Sequence, residues 1–121
     1  MVSLDVTSPS TGMLMTEETV RAVDGGRSPL TVLFVEICST YIEAPMFDWG
    51  HGCVLYDPPA VAVAAEPALG TFESMAIGIE TAGRLSLGQT VPLRDHAANV
   101  RVMTSVDGKQ VEDAMVKTIL S

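Results

Sequence analysis

Residues 56–62 read Tyr-Asp-Pro-Pro-Ala-Val-Ala, and this stretch guides the interpretation of the whole sequence. An Asp followed by a Pro is typical of a helix start, because the Asp can cap the helix and the Pro occupies the first helical position at no hydrogen-bond cost. The run of Ala and Val continues to Ala65, and Glu66-Pro67 ends it. We therefore predict a short helix over 58–65 that is buried on most sides.

Two further helices are predicted upstream of this stretch. Thr16 precedes two acidic residues, which is the pattern of a capped helix start, and the glycines at 25–26 end that helix. Ser28-Pro29 starts a second helix that ends near Pro45. Three- and four-residue spacing predicts one apolar face on this helix, formed by Leu30, Leu33, Phe34, Ile37 and Tyr41.

The other predicted elements are short and mostly strands. Apolar and polar residues alternate over 2–6, which predicts a strand, whereas 46–55 is irregular and is predicted to be a loop. Alternation recurs at 72–79, 91–93 and 99–106, and helical spacing at 111–120. The sequence therefore predicts a single α/β domain over 1–121 with no internal repeat.

Composition excludes several classes of protein. The chain has 121 residues, of which 47% are hydrophobic, so we expect one domain with an aliphatic, Met-filled core. The net charge of −8, with scattered basic residues, argues against nucleic-acid binding. The sequence shows neither a membrane span nor a secretory signal, so we expect a cytoplasmic protein. Cys38 and Cys53 do not form a disulfide framework and are interpreted as core residues or free thiols.

The stretch 56–62 resembles the His-Asp-Pro-x-Ala-Val-Ala segment of the calcium-dependent, inosine-uridine preferring nucleoside hydrolases. Residues 1–7 are similar to the family's hydrophobic-Leu-Asp-Val-Thr strand, and 15–18 are similar to its Leu-Thr-x-Glu helix start. Four downstream segments follow the family's order at about the right spacing, at 79–83, 88–91, 99–102 and 106–107. The resemblance implies the mixed-sheet, C-terminal part of a Rossmann-like nucleoside hydrolase fold, with helices packed on a small sheet. Residues 1–121 would then correspond to the C-terminal third of such an enzyme.

The same resemblance implies a chemistry and a set of site residues. The family hydrolyses the N-glycosidic bond of purine and pyrimidine ribonucleosides with a bound calcium ion. Asp57 falls on the position of a calcium ligand, and Tyr56 stands where the family has the His that assists departure of the base. Tyr41, Phe47 and Trp49 lie where the family carries a mobile segment over the nucleobase, so they could stack on a base. The candidate substrate-binding residues are Tyr41, Trp49 and His51.

Two family motifs are absent from this sequence. One is Asp-x-Asp-x-Gly-x-Asp-Asp, which provides most of the calcium carboxylates, and the other is the Glu-Phe-Asn region that holds the ribose hydroxyls. A calcium ion needs six to eight oxygen ligands, and one matching carboxylate does not hold it. We therefore expect a nucleoside hydrolase by descent that is inactive alone.

Alternative interpretations of these residues remain open. Asp57 is also compatible with an ordinary helix N-cap, and the aromatic residues with core or interface positions. His51 and Cys53, with Cys38 and Asp48, could form a zinc site, although the paired Cys-x-x-Cys spacing is missing.

Two main classes of function follow from these interpretations. The first is a nucleoside hydrolase that acts on ribonucleosides, and the second is a non-catalytic, oligomeric module that binds a nucleoside-like small molecule or a protein. A zinc-binding module is a third class. Apolar surfaces that pack against the rest of the family's fold would be exposed here, so we expect a homodimer or higher homo-oligomer.

Overall fold

The computed structural model describes residues 1–25, 28–44 and 52–121, which form an α/β arrangement of short elements. Along the chain, the described helices and strands are β1 (Leu14–Thr16), α1 (Glu17–Val23), α2 (Pro29–Glu43), β2 (Gly52–Val54), α3 (Pro58–Ala65), β3 (Gly70–Met75), β4 (Ile77–Ile79), β5 (Thr90–Pro92), β6 (Val100–Val106) and α4 (Gly108–Leu120). Two 3-10 turns, Pro9–Thr11 and Pro67–Leu69, connect them. Within these described residues, no helix is long and apolar enough to cross a membrane.

Side-chain caps fix three of the helix starts. The Thr16 hydroxyl accepts a hydrogen bond from the Thr19 amide at 3.3 Å, and the Ser28 hydroxyl accepts one from the Thr31 amide at 3.1 Å. Both starts are confirmed as predicted. Helix α4 begins at Gly108, three residues earlier than its apolar spacing suggested, because Asp107 caps it.

The strands form three antiparallel pairs. β1 pairs with β2, β3 with β6, and β4 with β5. The alternation predicted over 72–79 belongs to two strands separated by Ala76, because β3 and β4 pair with different partners. Residues 52–54, predicted as part of a loop, are a strand because β1 offers them a partner. The rest of the predicted loop, over 46–51, lies outside the described residues.

The predicted strand over 2–6 is wrong. Residues 4–6 form a turn in which the Val6 amide donates to the Ser3 carbonyl at 3.2 Å. Met1, which precedes this turn, hydrogen-bonds to β6. The Met1 ammonium donates to the Arg101 carbonyl of β6 at 2.6 Å, and the Met103 amide donates to the Met1 carbonyl at 2.9 Å.

The core is aliphatic and rich in methionine, as the composition predicted. Met13, Met15 and Met103 are almost completely buried. The main cluster brings together residues of β1, α1, α2, β2 and α4, namely Met13, Met15, Val20, Cys38, Cys53, Leu55 and Val111. A smaller cluster contains Val6, Val63 and Met103.

Two predicted apolar surfaces are exposed. On α2, the residues Leu30, Leu33, Ile37 and Tyr41 are about half exposed, and the helix instead buries Thr31 and Cys38. Helix α3 buries only Pro59 and Val63, and its Val61 is 70% exposed, so the prediction of burial on most sides is wrong. Periodicity locates an apolar face but does not show which neighbour covers it.

A close backbone contact joins the start of α4 to the loop before β1. Gly108 is buried, and a Cβ atom at this position would lie 2.3 Å from the Gly12 carbonyl oxygen. Backbone atoms cannot move aside as a flexible side chain can. Only a residue without a side chain therefore allows this approach.

We expect Gly108→Ala to lower the free energy of unfolding by about 3 kcal/mol, because the added methyl group forces α4 away from this loop. Urea denaturation followed by circular dichroism measures the change. Gly25→Ala is the matched control, since a Cβ atom there meets nothing within 4 Å. If the Gly108→Ala variant were as stable as the wild type, the close contact between Gly108 and the Gly12 carbonyl would not be a constraint on the fold.

Candidate functional site

Asp57 occupies the N-cap position of α3, but its side chain does not cap the helix. Its backbone is helical, with φ −87° and ψ −36°, and its carboxylate makes no capping hydrogen bond. By contrast, Thr16, Ser28 and Asp107 have extended backbones, and their side chains all accept hydrogen bonds from the first turn. The interpretation of Asp57 as an ordinary N-cap is therefore wrong.

The two prolines after Asp57 explain this difference. An N-cap side chain accepts from the amides of the second or third helical residue. Pro59 has no amide hydrogen, and the Ala60 amide donates to the Asp57 carbonyl oxygen at 3.0 Å. No donor in the first turn is left for the carboxylate, which is exposed. The second proline was the sequence signal that could have excluded the capping role.

The structure places Tyr56 and Asp57 side by side between β2 and α3. Tyr56 is 38% exposed. Tyr41 is on the last turn of α2, and α2 packs against β2. The predicted site residues Trp49 and His51 lie outside the described residues, as do Phe47 and Asp48.

Two cysteines precede these tyrosines in the sequence, one on α2 and the other on β2. Cys38 on α2 lies three residues before Tyr41, and Cys53 on β2 lies three residues before Tyr56. Interaction with the Cys38 thiol lowers the pKa of Cys53 to about 7. The same interaction, together with burial, raises the pKa of Cys38.

The described residues do not form a metal site by themselves. Over 1–25, 28–44 and 52–121, no group of three or more His, Cys, Asp and Glu side chains is placed to hold an ion. Asp57 alone cannot complete the oxygen shell of calcium. The described residues therefore do not fit a calcium ion, and His51 and Asp48 of the zinc alternative lie outside them.

Glu112 on α4 is a polar residue that the sequence analysis missed. It is 8% exposed, and its Oε2 atom accepts from the Lys109 ammonium at 3.1 Å. Its Oε1 atom is buried and has no hydrogen-bond partner within the described part of the chain. In the sequence, a Lys three residues before a Glu is typical of a solvated helix face, so nothing there indicated burial.

An apolar groove of about 500 Å³ lies between α3 and α4. Its walls are formed mainly by Val61, Ala65, Leu69, Met115 and Ile119. Pro58, the residue after Asp57, also lines the groove, but Tyr56 and Asp57 do not. A ribose presents several hydroxyl groups, which need polar partners when they are buried. The groove therefore suits an apolar surface rather than a nucleoside.

Comparison with known proteins assigns the chain to a family. Residues 1–113 match the family model described as inosine-uridine preferring nucleoside hydrolase. The chain belongs to this family. The sequence resemblance and the expected α/β fold are thereby confirmed.

Curated relatives match nearly the whole chain at low identity. The pyrimidine-specific ribonucleoside hydrolase RihA of Shigella boydii is 30% identical over 121 residues, which cover 95% of this chain and 38% of that enzyme. RihA of a Shewanella species is 30% identical over 124 residues, which cover 98% and 38%. The chain thus spans 38% of the length of these relatives.

Solved structures of hydrolases share the fold. A purine-preferring ribonucleoside hydrolase from Gardnerella vaginalis superposes with a TM-score of 0.80 at 26% identity, covering 98% of this chain and 38% of that one. A plant nucleoside hydrolase superposes with a TM-score of 0.69 at 18% identity, covering 90% and 38%. The described elements therefore keep the arrangement that they have within a larger hydrolase fold.

Asp107 and Asp57 both precede a helix, but only the Asp107 carboxylate caps its helix. Replacing each of them by Ala tests this difference. Asp107→Ala should lower the melting temperature by a few degrees, because Asp107 Oδ1 accepts from the Lys109 and Gln110 amides. Asp57→Ala should leave it unchanged, because no capping bond is lost. Differential scanning calorimetry of both variants tests this, and equal losses would restore the capping role of Asp57.

The effect of Asp107→Ala should also depend on pH. Hydrogen bonds from the Gln110 amide and side chain lower the pKa of Asp107 below 3.8. The carboxylate therefore stabilises the folded state above its ordinary pKa, and this stabilisation is lost as the pH falls through the lowered value. The two proteins should differ fully at pH 7 and converge in stronger acid.

Proposed function

We propose that this chain supplies part of a nucleoside N-ribohydrolase site, to which Asp57 contributes a carboxylate and Tyr56 a hydrogen-bond donor. The observation that carries this proposal is the unused carboxylate of Asp57, which is exposed and makes no capping bond. It sits in the segment that resembles the family's calcium-binding and leaving-group motif. Residues 1–121 form a single domain in this proposal, and the protein is cytoplasmic.

The chemistry requires more groups than these two. Cleavage of an N-glycosidic bond passes through a ribosyl cation with oxocarbenium character, which is attacked by an activated water as the base departs. A carboxylate at Asp57 can face the developing positive charge or share in holding calcium. The Tyr56 phenol can donate a hydrogen bond to the leaving base, but it is a much weaker acid at neutral pH than an imidazolium.

We infer that the chain does not hydrolyse nucleosides alone. The family's acidic amino-terminal motif is absent from the sequence, and the described residues offer no second cluster of acids beside Asp57. The remaining carboxylates and ribose-binding groups must then come from outside residues 1–121. A non-catalytic module that binds a small molecule or a protein is the alternative, and the exposed apolar surfaces favour a protein partner.

A chimeric enzyme tests the proposed function. The region of Shigella boydii RihA that this chain matches is replaced by this chain, and ribose release is measured from uridine, cytidine and inosine with and without calcium. We expect the chimera to release ribose, and Asp57→Ala to abolish the release. Tyr56→His should raise the rate tenfold or more, because it restores a general acid at the position of the leaving base.

The isolated chain is the control in this experiment. It should release no ribose at high protein concentration, with or without calcium. Ribose release by the isolated chain would contradict the inference that the chain is inactive on its own. A folded chimera whose activity is unaffected by Asp57→Ala would overturn the role of Asp57 and leave the non-catalytic alternative.

A homodimer or higher homo-oligomer is the second part of the proposal. Leu30, Leu33, Ile37 and Tyr41 form a row along α2, and each is about half exposed. Val61 on α3 is 70% exposed beside the apolar groove. Contiguous apolar surface of this kind is unfavourable in water and typical of interfaces.

Light scattering coupled to gel filtration at micromolar concentration measures the oligomeric state. We expect a mass of at least two chains, and we expect Ile37→Glu on α2 to shift the protein to monomers, because it places a charge in the apolar row. Leu85→Glu is the matched control, since Leu85 is fully exposed outside this row. A monomeric wild type would contradict the proposal.

A further inference from the structure

Two apolar surfaces of opposite shape are exposed on this chain. The apolar row of α2 is convex, and its aliphatic side chains at Leu30, Leu33 and Ile37 are each about half exposed. The apolar groove between α3 and α4 is concave and has a volume of about 500 Å³. The proposed hydrolase chemistry uses neither surface, and the groove does not suit a nucleoside.

We propose that these two surfaces bind each other between copies of the chain, so that the apolar row of α2 in one copy docks in the apolar groove of a second copy. This inference rests on the self-association proposed above and names the two surfaces that meet. The mode of binding is that of an amphipathic helix that lays its apolar side chains into a hydrophobic groove.

The spacing and length of the two surfaces match. Leu30, Leu33 and Ile37 stand at positions i, i+3 and i+7, which is the spacing of side chains that anchor a helix in a groove. From the first anchor to the last, the helix rises about 10.5 Å at 1.5 Å per residue. The α4 wall of the groove extends from Val111 to Ile119, a rise of about 12 Å. All three anchors can therefore lie in the groove at once.

The walls of the groove suit large aliphatic side chains. On α3 the groove is lined by Val61, Ala62 and Ala65, and α3 contains no polar residue. Short side chains allow a second helix to approach closely. On α4, Met115 adds an unbranched side chain that can adapt to the shape of a partner. The groove therefore offers both the room and the apolar surface that the row of α2 requires.

Charged residues beside the two surfaces have opposite signs. Glu36 is exposed on α2 next to Ile37, and Lys117 is exposed on α4 next to Thr118, which lines the groove. Neither residue forms a salt bridge within the described part of the chain. A helix docked in the groove can therefore pair the Glu36 carboxylate with the Lys117 ammonium at the rim. Such a pair favours one register of the docked helix over others.

A second copy of the chain supplies both surfaces together. In a two-fold dimer, each copy presents its row to the groove of the other, so the same contact forms twice. An unrelated partner would have to cover a convex row and a concave groove separately. Self-association is thus the arrangement that covers both apolar surfaces with a single kind of contact.

Mixing two variants of the full chain tests this contact. Ile37→Glu places a charge in the row and leaves the groove intact, whereas Val61→Glu does the reverse. Both residues are exposed, Val61 by 70%, so both variants should fold, which circular dichroism checks. Sedimentation velocity at micromolar concentration should show each variant alone as a monomer. An equimolar mixture at the same total concentration should form dimers, because an intact row meets an intact groove.

The results separate this inference from the proposals before it. Ala60→Glu is the matched control and should stay oligomeric, because Ala60 is exposed on α3 but does not line the groove. A monomeric wild type would contradict the self-association and this contact together. If the wild type is oligomeric but Val61→Glu does not dissociate it, or if the mixed variants stay monomeric, only the contact between row and groove is overturned. Ribose release by the chimera tests the hydrolase chemistry separately.

Exchanging the two rim charges tests the register of the docked helix. Lys117→Glu should raise the dissociation constant about threefold, which is the size expected for an exposed ion pair. Adding Glu36→Lys should restore the wild-type value. Adding Glu18→Lys instead is the matched control with the same net charge, and it should not restore it, because Glu18 is exposed on α1 outside the row. Equal dissociation constants for the two double variants would overturn the pairing of Glu36 with Lys117.

Discussion

The approach of two backbones at Gly108 and Gly12 is the constraint on which the rest of the structure depends. Because Gly108 is the first residue of α4, this contact fixes where the helix leaves β6 and how it enters the core. Val111 follows one turn later and is completely buried in the cluster that contains Met13. The Leu55 amide donates to the Met13 carbonyl at 2.9 Å, so the strand before α3 is fixed to the same loop. This one steric condition therefore positions α4, β1 and the segment that carries Tyr56 and Asp57.

At the candidate site, the start of α3 is rigid, but the Asp57 side chain does not contribute to that rigidity. Pro58 and Pro59 fix the backbone of the first turn of α3 and remove amide donors from it. Asp57 therefore lies at a rigid position while its carboxylate makes no capping bond. A ligand-binding residue needs a fixed backbone and a side chain that is free of local hydrogen bonds. A capping residue, by contrast, uses its side chain to hold the helix start. This local geometry is compatible with the role that we propose for Asp57.

Local signals in the sequence predicted helices better than strands or burial. Ser28-Pro29 and Asp57-Pro58 placed two helix starts correctly, because proline geometry is decided within a few residues. The strand over 52–54 was missed because it depends on β1, a partner nearly forty residues away in the chain. The exposed row on α2 was predicted as an apolar face, but its exposure depends on what else packs there. At the candidate site, Asp57 was proposed from resemblance. The burial of Glu112 depends on tertiary packing, which residue spacing does not show.

The hydrogen bonds of Met1 bear on how the protein is prepared for experiments. The terminal ammonium donates to the Arg101 carbonyl, and the Met1 carbonyl accepts from the Met103 amide. An amino-terminal affinity tag would convert the ammonium into a neutral amide with a single hydrogen and would direct the added residues along β6. The carboxyl-terminal Ser121 is exposed at the end of α4. Tags and labels are therefore better attached there, where they leave the β6 contact intact.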